Sequence, residues 1–128
     1  MKILDLKQLD YLHDAIVRQI AFALTDTRKD LVVTVTCDDD CGYSDWCGKT
    51  LIITLANLLQ ASGTFLGHVA GYETVQSFDE GASADMSQKI QQLSKIGIAP
   101  PNIVLRFTLH SGSEFEIACD SIAIRSAE

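Results

Sequence analysis

The sequence predicts an α+β fold, mainly antiparallel β-sheet with one or two packed helices, and three observations predict it. Period-two alternation of apolar and polar residues recurs at 31–37, at 51–55 and twice in the last third of the chain. A helical apolar stripe runs through 83–96 and stops at Gly97. Pro100 and Pro101 then stop that helix, and the clearest hairpin of the chain follows them. The 128 residues make one ordinary domain, and no repeat, charge block or linker divides them. We therefore read residues 1–128 as a single α+β domain.

From the N-terminus, Leu6, Leu9 and Leu12 recur three apart behind Asp5, which predicts a short amphipathic helix with an Asp N-cap. Residues 15–24 admit two readings. Ile16, Ile20 and Leu24 would extend that helix, whereas Ile16, Ile20, Phe22 and Leu24 share one strand face. The β-branched pair Ile16 and Val17 and the turn signal at 25–30 favour the strand. Leu31, Val33, Val35 and Cys37 then face one side and Val32, Thr34 and Thr36 the other, completing an antiparallel hairpin. A loop over 37–48 precedes a strand at 51–55. Residues 58–70 are again open between strand and helix, with Gly63 available as a helix cap.

In the helix at 83–96, Met86, Ile90, Leu93 and Ile96 form the stripe, and Ser83 or Asp85 caps its start. The clearest hairpin follows. Ile103, Leu105, Phe107 and Leu109 alternate with Val104, Arg106, Thr108 and His110. Ser111, Gly112 and Ser113 turn the chain, and Phe115, Ile117 and Cys119 alternate with Glu114, Glu116 and Ala118. A short strand at 122–125 ends it.

The opening Leu12-His13-Asp14-Ala15 and the ending NIVLRFTLHSGSEFEIACDSIAIR (102–125) together resemble small bacterial domains of uncharacterised or immunity-type function. Those domains share an LHD-containing start and a C-terminal hairpin. The resemblance covers the two ends of the chain and carries no catalytic motif. It implies the hairpin-rich fold and a protein-binding role.

Charge narrows the partners. Ten Lys and Arg against seventeen Asp and Glu leave a formal charge of −7, the wrong sign for phosphate backbones or anionic lipid. Nucleic acid and membrane are therefore not expected partners. Residues 50–72 carry no charge, with Gly63, Gly67 and Gly71 four apart, but Asn57, Gln60 and His68 would each need a partner in hydrocarbon. Buried strand and turns are the better reading. Asp5 and Asp10 interrupt any apolar run at the start, so no signal peptide and a cytoplasmic location are expected. There, Cys37, Cys41, Cys47 and Cys119 are thiols.

The loop C37-D-D-D-C-G-Y-S-D-W-C47 holds the most chemistry. Cys37, Cys41 and Cys47 are candidate metal ligands, with a fourth from Asp45, His68, His110 or Cys119. Against zinc, Cys37 and Cys119 lie on apolar strand faces and read as small buried hydrophobes. An EF-hand register fails, since the position six residues into the loop from Asp38 is Tyr43 rather than Gly. Redox work is disfavoured because neighbouring carboxylates raise a thiol's pKa. His13, His68 and His110 form no motif in sequence; His13 and Asp14 would face opposite sides of a strand, and His110 reads as a turn residue. No phosphate-binding glycine loop occurs, and no cofactor is implied.

Tyr43 and Trp46 among Asp38, Asp39, Asp40 and Asp45 have the composition of a protein interface, anchors with a charged rim. The competing reading folds Trp46 back as a lid over the sheet. A second acid-only stretch, Glu73 to Asp85, could join the loop in steering a basic protein partner. The leading functional expectation is a non-enzymatic protein-binding module, whose concrete version is an immunity protein. The alternative is a metal- or thiol-dependent site on the 37–47 loop. A homo-oligomer through a second apolar sheet face is also open.

Overall fold

Both segments that periodicity leaves ambiguous begin as strands in the computed structural model, which describes residues 2–3, 6–64 and 73–127, with side chains for 7–63 and 74–127. The order is β1 (Lys2–Ile3), a 3-10 helix (Leu6–Leu12), β2 (Ile16–Leu24), β3 (Lys29–Thr36), β4 (Thr50–Ala56), β5 (Gln60–Thr64), β6 (Glu73–Glu80), α1 (Ala84–Lys95), β7 (Ile103–Leu109), β8 (Glu114–Cys119) and β9 (Ser121–Ser126). Residues 65–70 of the second ambiguous segment lie outside the described residues, as does His68. Among the described residues no helix is long and apolar enough to cross a membrane.

All pairings are antiparallel, in the order β1-β9-β4-β3-β2-β6-β7-β8-β5. This ladder returns on itself. β4 runs into β5 across residues 57–59 and β8 into β9 across Asp120, while β4 pairs β9 and β5 pairs β8. The two long paths therefore form one bent ribbon, and β3, β2, β6 and β7 complete the circuit around it. The corner of the ribbon is built by Asn57, whose φ of 57° lies in the left-handed region that Asn tolerates. Leu59 N–H donates to Ala118 O at 2.9 Å and Asp120 N–H to Ala56 O at 3.0 Å, so the ladder bends without losing its bonds. The buried carboxylate of Asp30 accepts from Asn57 N–H at 2.9 Å and pairs with Arg28 at 3.1 Å, which satisfies both of its oxygens.

Inside the circuit, the alternating faces meet. Val33 and Val35 from β3, Ile53 and Leu55 from β4, Leu105, Phe107 and Leu109 from β7, and Ile117 from β8 are essentially fully buried. Each such side chain contributes roughly 1.5–3 kcal/mol relative to exposure. Phe107 stacks on Phe78 at 4.3 Å and on Phe115 at 5.9 Å. Leu9 and Leu12 of the 3-10 helix join the same core. Tight 3-10 geometry puts residues three apart on one side, which suits the leucine spacing that sequence reads as an amphipathic helix.

The structure corrects several readings. The acid-only stretch contains a strand, β6, hidden because a register shift between Val75 and Ser77 turns both Val75 and Phe78 inward. Three-residue spacing does not look like a strand. Gly63 caps no helix; it pairs with Phe115, and a Cβ there would lie 2.3 Å from the Phe115 ring. The β2 face is not wholly buried, since Phe22 and Leu24 are 59% and 69% exposed where β2 runs beyond its short pairing with β6.

Helix α1 begins where Ser83 Oγ accepts from Met86 N–H at 3.1 Å. It ends in a Schellman motif, with Gly97 at φ 90° and the Ile98 N–H donating to Leu93 O at 3.1 Å. Of its stripe only Met86 is fully buried, and Ile96 is 74% exposed.

Candidate functional site

The loop between β3 and β4 is closed at its base by Cys37 N–H to Lys49 O at 2.9 Å and Gly48 N–H to Asp38 O at 3.0 Å. Gly48 is required here: its φ is 71°, and a Cβ would meet Asp39 Oδ1 at 2.7 Å. Trp46 is only 7% exposed and belongs to the core cluster. Tyr43 packs edge-on against it at 4.9 Å and stacks on Tyr11 of the 3-10 helix at 5.4 Å. The lid reading thus describes Trp46, and Tyr43 is half-buried between two rings. Asp38, Asp39, Asp40 and Asp45 are all exposed. The aromatic groups hold the loop, and the carboxylates face water. Asp79 and Glu80 line a different groove, with Lys7, Asp10 and Leu105, from the one beside this loop.

The thiols are placed as follows. Cys41 and Cys47 bring their Sγ atoms within 3.3 Å, and Cys47 donates to Cys41 O at 3.0 Å. Burial first, then the neighbouring Cys41, pushes the Cys37 thiol up from 9.0 to about 12. The hydrogen bond with Cys41, then desolvation, raises Cys47. Burial raises the distant Cys119 to about 11. For Cys47 the upward direction matches the sequence argument, but thiol contact and desolvation lead, with the carboxylates last. Protonated thiols are poor nucleophiles and poor ligands. Cys41 contacts both Cys37 and Cys47, but the three Sγ atoms do not all lie within 4.8 Å of one another.

A second cluster forms where the turn before β2 meets the end of β7. His13 Nδ1 lies 3.2 Å from Asp14 Oδ2, and His110 Nε2 lies 2.9 Å from Asp14 Oδ1. The two imidazoles meet edge-on at 5.4 Å. Among the described residues this is the one group of three or more His, Cys, Asp or Glu side chains whose ligand atoms all lie within 4.8 Å. Its backbone is fixed from one strand: Asp14 N–H donates to Val75 O at 2.8 Å and His110 N–H to Thr74 O at 3.0 Å. Asp14 has φ 68°, a left-handed conformation in a turn, so the alternation that would separate His13 from Asp14 in a strand does not apply.

Residue-by-residue reading passes over this group because His110 is 96 positions from Asp14. No family model, curated protein or solved structure matches the chain.

Proposed function

We propose that this chain is a non-enzymatic protein-recognition module, of the immunity type, that presents the 38–45 loop to a basic protein partner. The observation that supports it is the division of labour in the loop: Trp46 and Tyr43 turned inward, Asp38, Asp39, Asp40 and Asp45 turned out. A loop ordered before the partner arrives loses less entropy on association. Exposed carboxylates on a chain of net charge −7 accelerate encounter with a cationic surface and disfavour anionic ones. In this reading Trp46 is a support rather than an anchor. The contact residues are the four aspartates, with Tyr43 at the rim. A groove of about 190 Å³ beside them, lined by Tyr43, Trp46, Lys49 and Arg125 among others, has room for a single partner side chain.

The test is affinity capture from bacterial lysate with three baits: the wild-type chain, the loop variant D38N/D39N/D40N/D45N, and a charge-matched control altered at the exposed Asp26, Asp79, Glu80 and Asp85. A basic protein retained by wild type and control but lost from the loop variant is the expected result. Equal retention by all three, or equal loss from both variants, removes the loop as the recognition surface.

A further inference from the structure

We infer that His13, Asp14 and His110 form a binding site for one divalent transition-metal ion, of the zinc, nickel and copper class, independent of the acidic loop. The ligand chemistry selects the class. Two imidazoles and one carboxylate suit zinc, nickel, copper and iron, while magnesium and calcium prefer all-oxygen sets. With metal–ligand bonds of about 2.1 Å, neighbouring ligand atoms stand about 3.0 Å apart in an octahedron and about 3.4 Å apart in a tetrahedron. The two nitrogen–oxygen separations here, 2.9 and 3.2 Å, run to different oxygens of Asp14, and one ligand atom from each of the three residues lies within 4.8 Å of the others, so small side-chain rotations reach that spacing.

The three groups are also held where a metal would need them. Neighbouring carbonyls of β6, Thr74 O and Val75 O, fix the backbones of His110 and Asp14. His13 N–H donates to Asp10 O at 3.3 Å and Ala15 N–H to Leu12 O at 2.9 Å, which secures the turn that throws Asp14 into its left-handed conformation. Two separate loops are thereby registered on one strand before any ion binds. Each Asp14 oxygen faces a different ring nitrogen, so the carboxylate can sit between both imidazoles in a shared ligand set. The ion would take the place of the hydrogen bonds now made between the carboxylate and the two rings. All three residues are exposed, so positions on the metal beyond these three ligands remain open to water or to a side chain of a bound partner.

The experiment is zinc titration calorimetry on the full chain carrying C41S/C47S, so that the close thiol pair cannot bind the ion. One zinc per chain is expected. H110A and H13A, each made in that background, should lose roughly 10-fold or more in affinity. Their melting temperatures in chelator should match the background, because both rings are exposed. Saturating zinc should raise the melting temperature of the background by roughly 5–10 °C and leave H110A unmoved. Cobalt loaded in place of zinc should lack the thiolate charge-transfer band. The inference is overturned if the C41S/C47S chain takes up no zinc to about 1 mM, or if H110A and H13A both bind as tightly as their background. Zinc binding by wild type that vanishes in C41S/C47S would place the site at the thiols and overturn it equally.

Discussion

The acidic loop at 37–49 and the histidine corner are held to the same sheet by opposite means. The loop is closed at its base by main-chain bonds, but its outer part is seated by side chains: Trp46 is buried in the core, and Tyr11, Tyr43 and Trp46 pack ring on ring. The corner is fastened by main chain: Asp14 and His110 donate backbone N–H groups to β6, and their side chains stay in solvent. A side chain spent on packing is unavailable for contact or chemistry, whereas a segment fixed through its peptide groups keeps its side chains free. The loop therefore offers shape and charge, and the corner offers ligand atoms.

The largest break in this comparison is Trp46→Ala. Removing a buried tryptophan should cost about 3–5 kcal/mol in urea unfolding. A loss under about 1 kcal/mol would mean that the loop is not tied to the core through this ring. Next comes Gly63→Ala on β5, which pushes a methyl into the Phe115 ring and should cost about 1–3 kcal/mol. Combined with Phe115→Leu the penalty should shrink, and strict additivity in that double-mutant cycle would reject the clash.

At the corner, Asp14→Gly and Asp14→Ala both delete the carboxylate but differ at the backbone. Glycine should be the more stable by about 1 kcal/mol, because φ 68° is strained for alanine. Equal stabilities would show that the turn relaxes out of that conformation.

The smallest effect belongs to Glu116. Burial works to raise its carboxyl, but bonds from the Ser83 backbone and hydroxyl, then the charges of Arg106 and Lys89, outweigh burial and hold it below the ordinary carboxylate value. A lowered folded pKa gives stability that is complete above the unfolded value and is lost as pH falls through the folded one. The group is mostly solvated, so less than about 1 kcal/mol is at stake. Glu116→Gln should flatten that acid limb in unfolding curves taken across the acidic range; an unchanged limb would assign it to other carboxylates.

Much of the fold was legible locally. β3, β4 and β7 alternate on the faces read from their residues, and Cys37 and Cys119 are buried as read, whereas in β8 Ala118, read on the opposite face, is buried together with Ile117 and Cys119. Ser83 and Gly97 mark the helix ends as their chemistry predicts. β6 was not legible, because its bulge replaces a two-residue period with a three-residue one at Val75 and Phe78. Of the candidate contacts, the aspartates lie where their charge implies, exposed, while Trp46 followed its apolar area into the core.

What the sequence by itself determined is what depends on near neighbours: alternation, turns, caps and the burial of small thiols on apolar faces. Only the tertiary structure decided how the ladder returns on itself, why Gly63 must stay small beside Phe115, and that His110 meets Asp14 across 96 positions. Periodicity reports which side of a strand a residue takes, and it carries no information on which strand lies next to it. That second choice is made by the register of long-range pairs, and the histidine corner is one of its products.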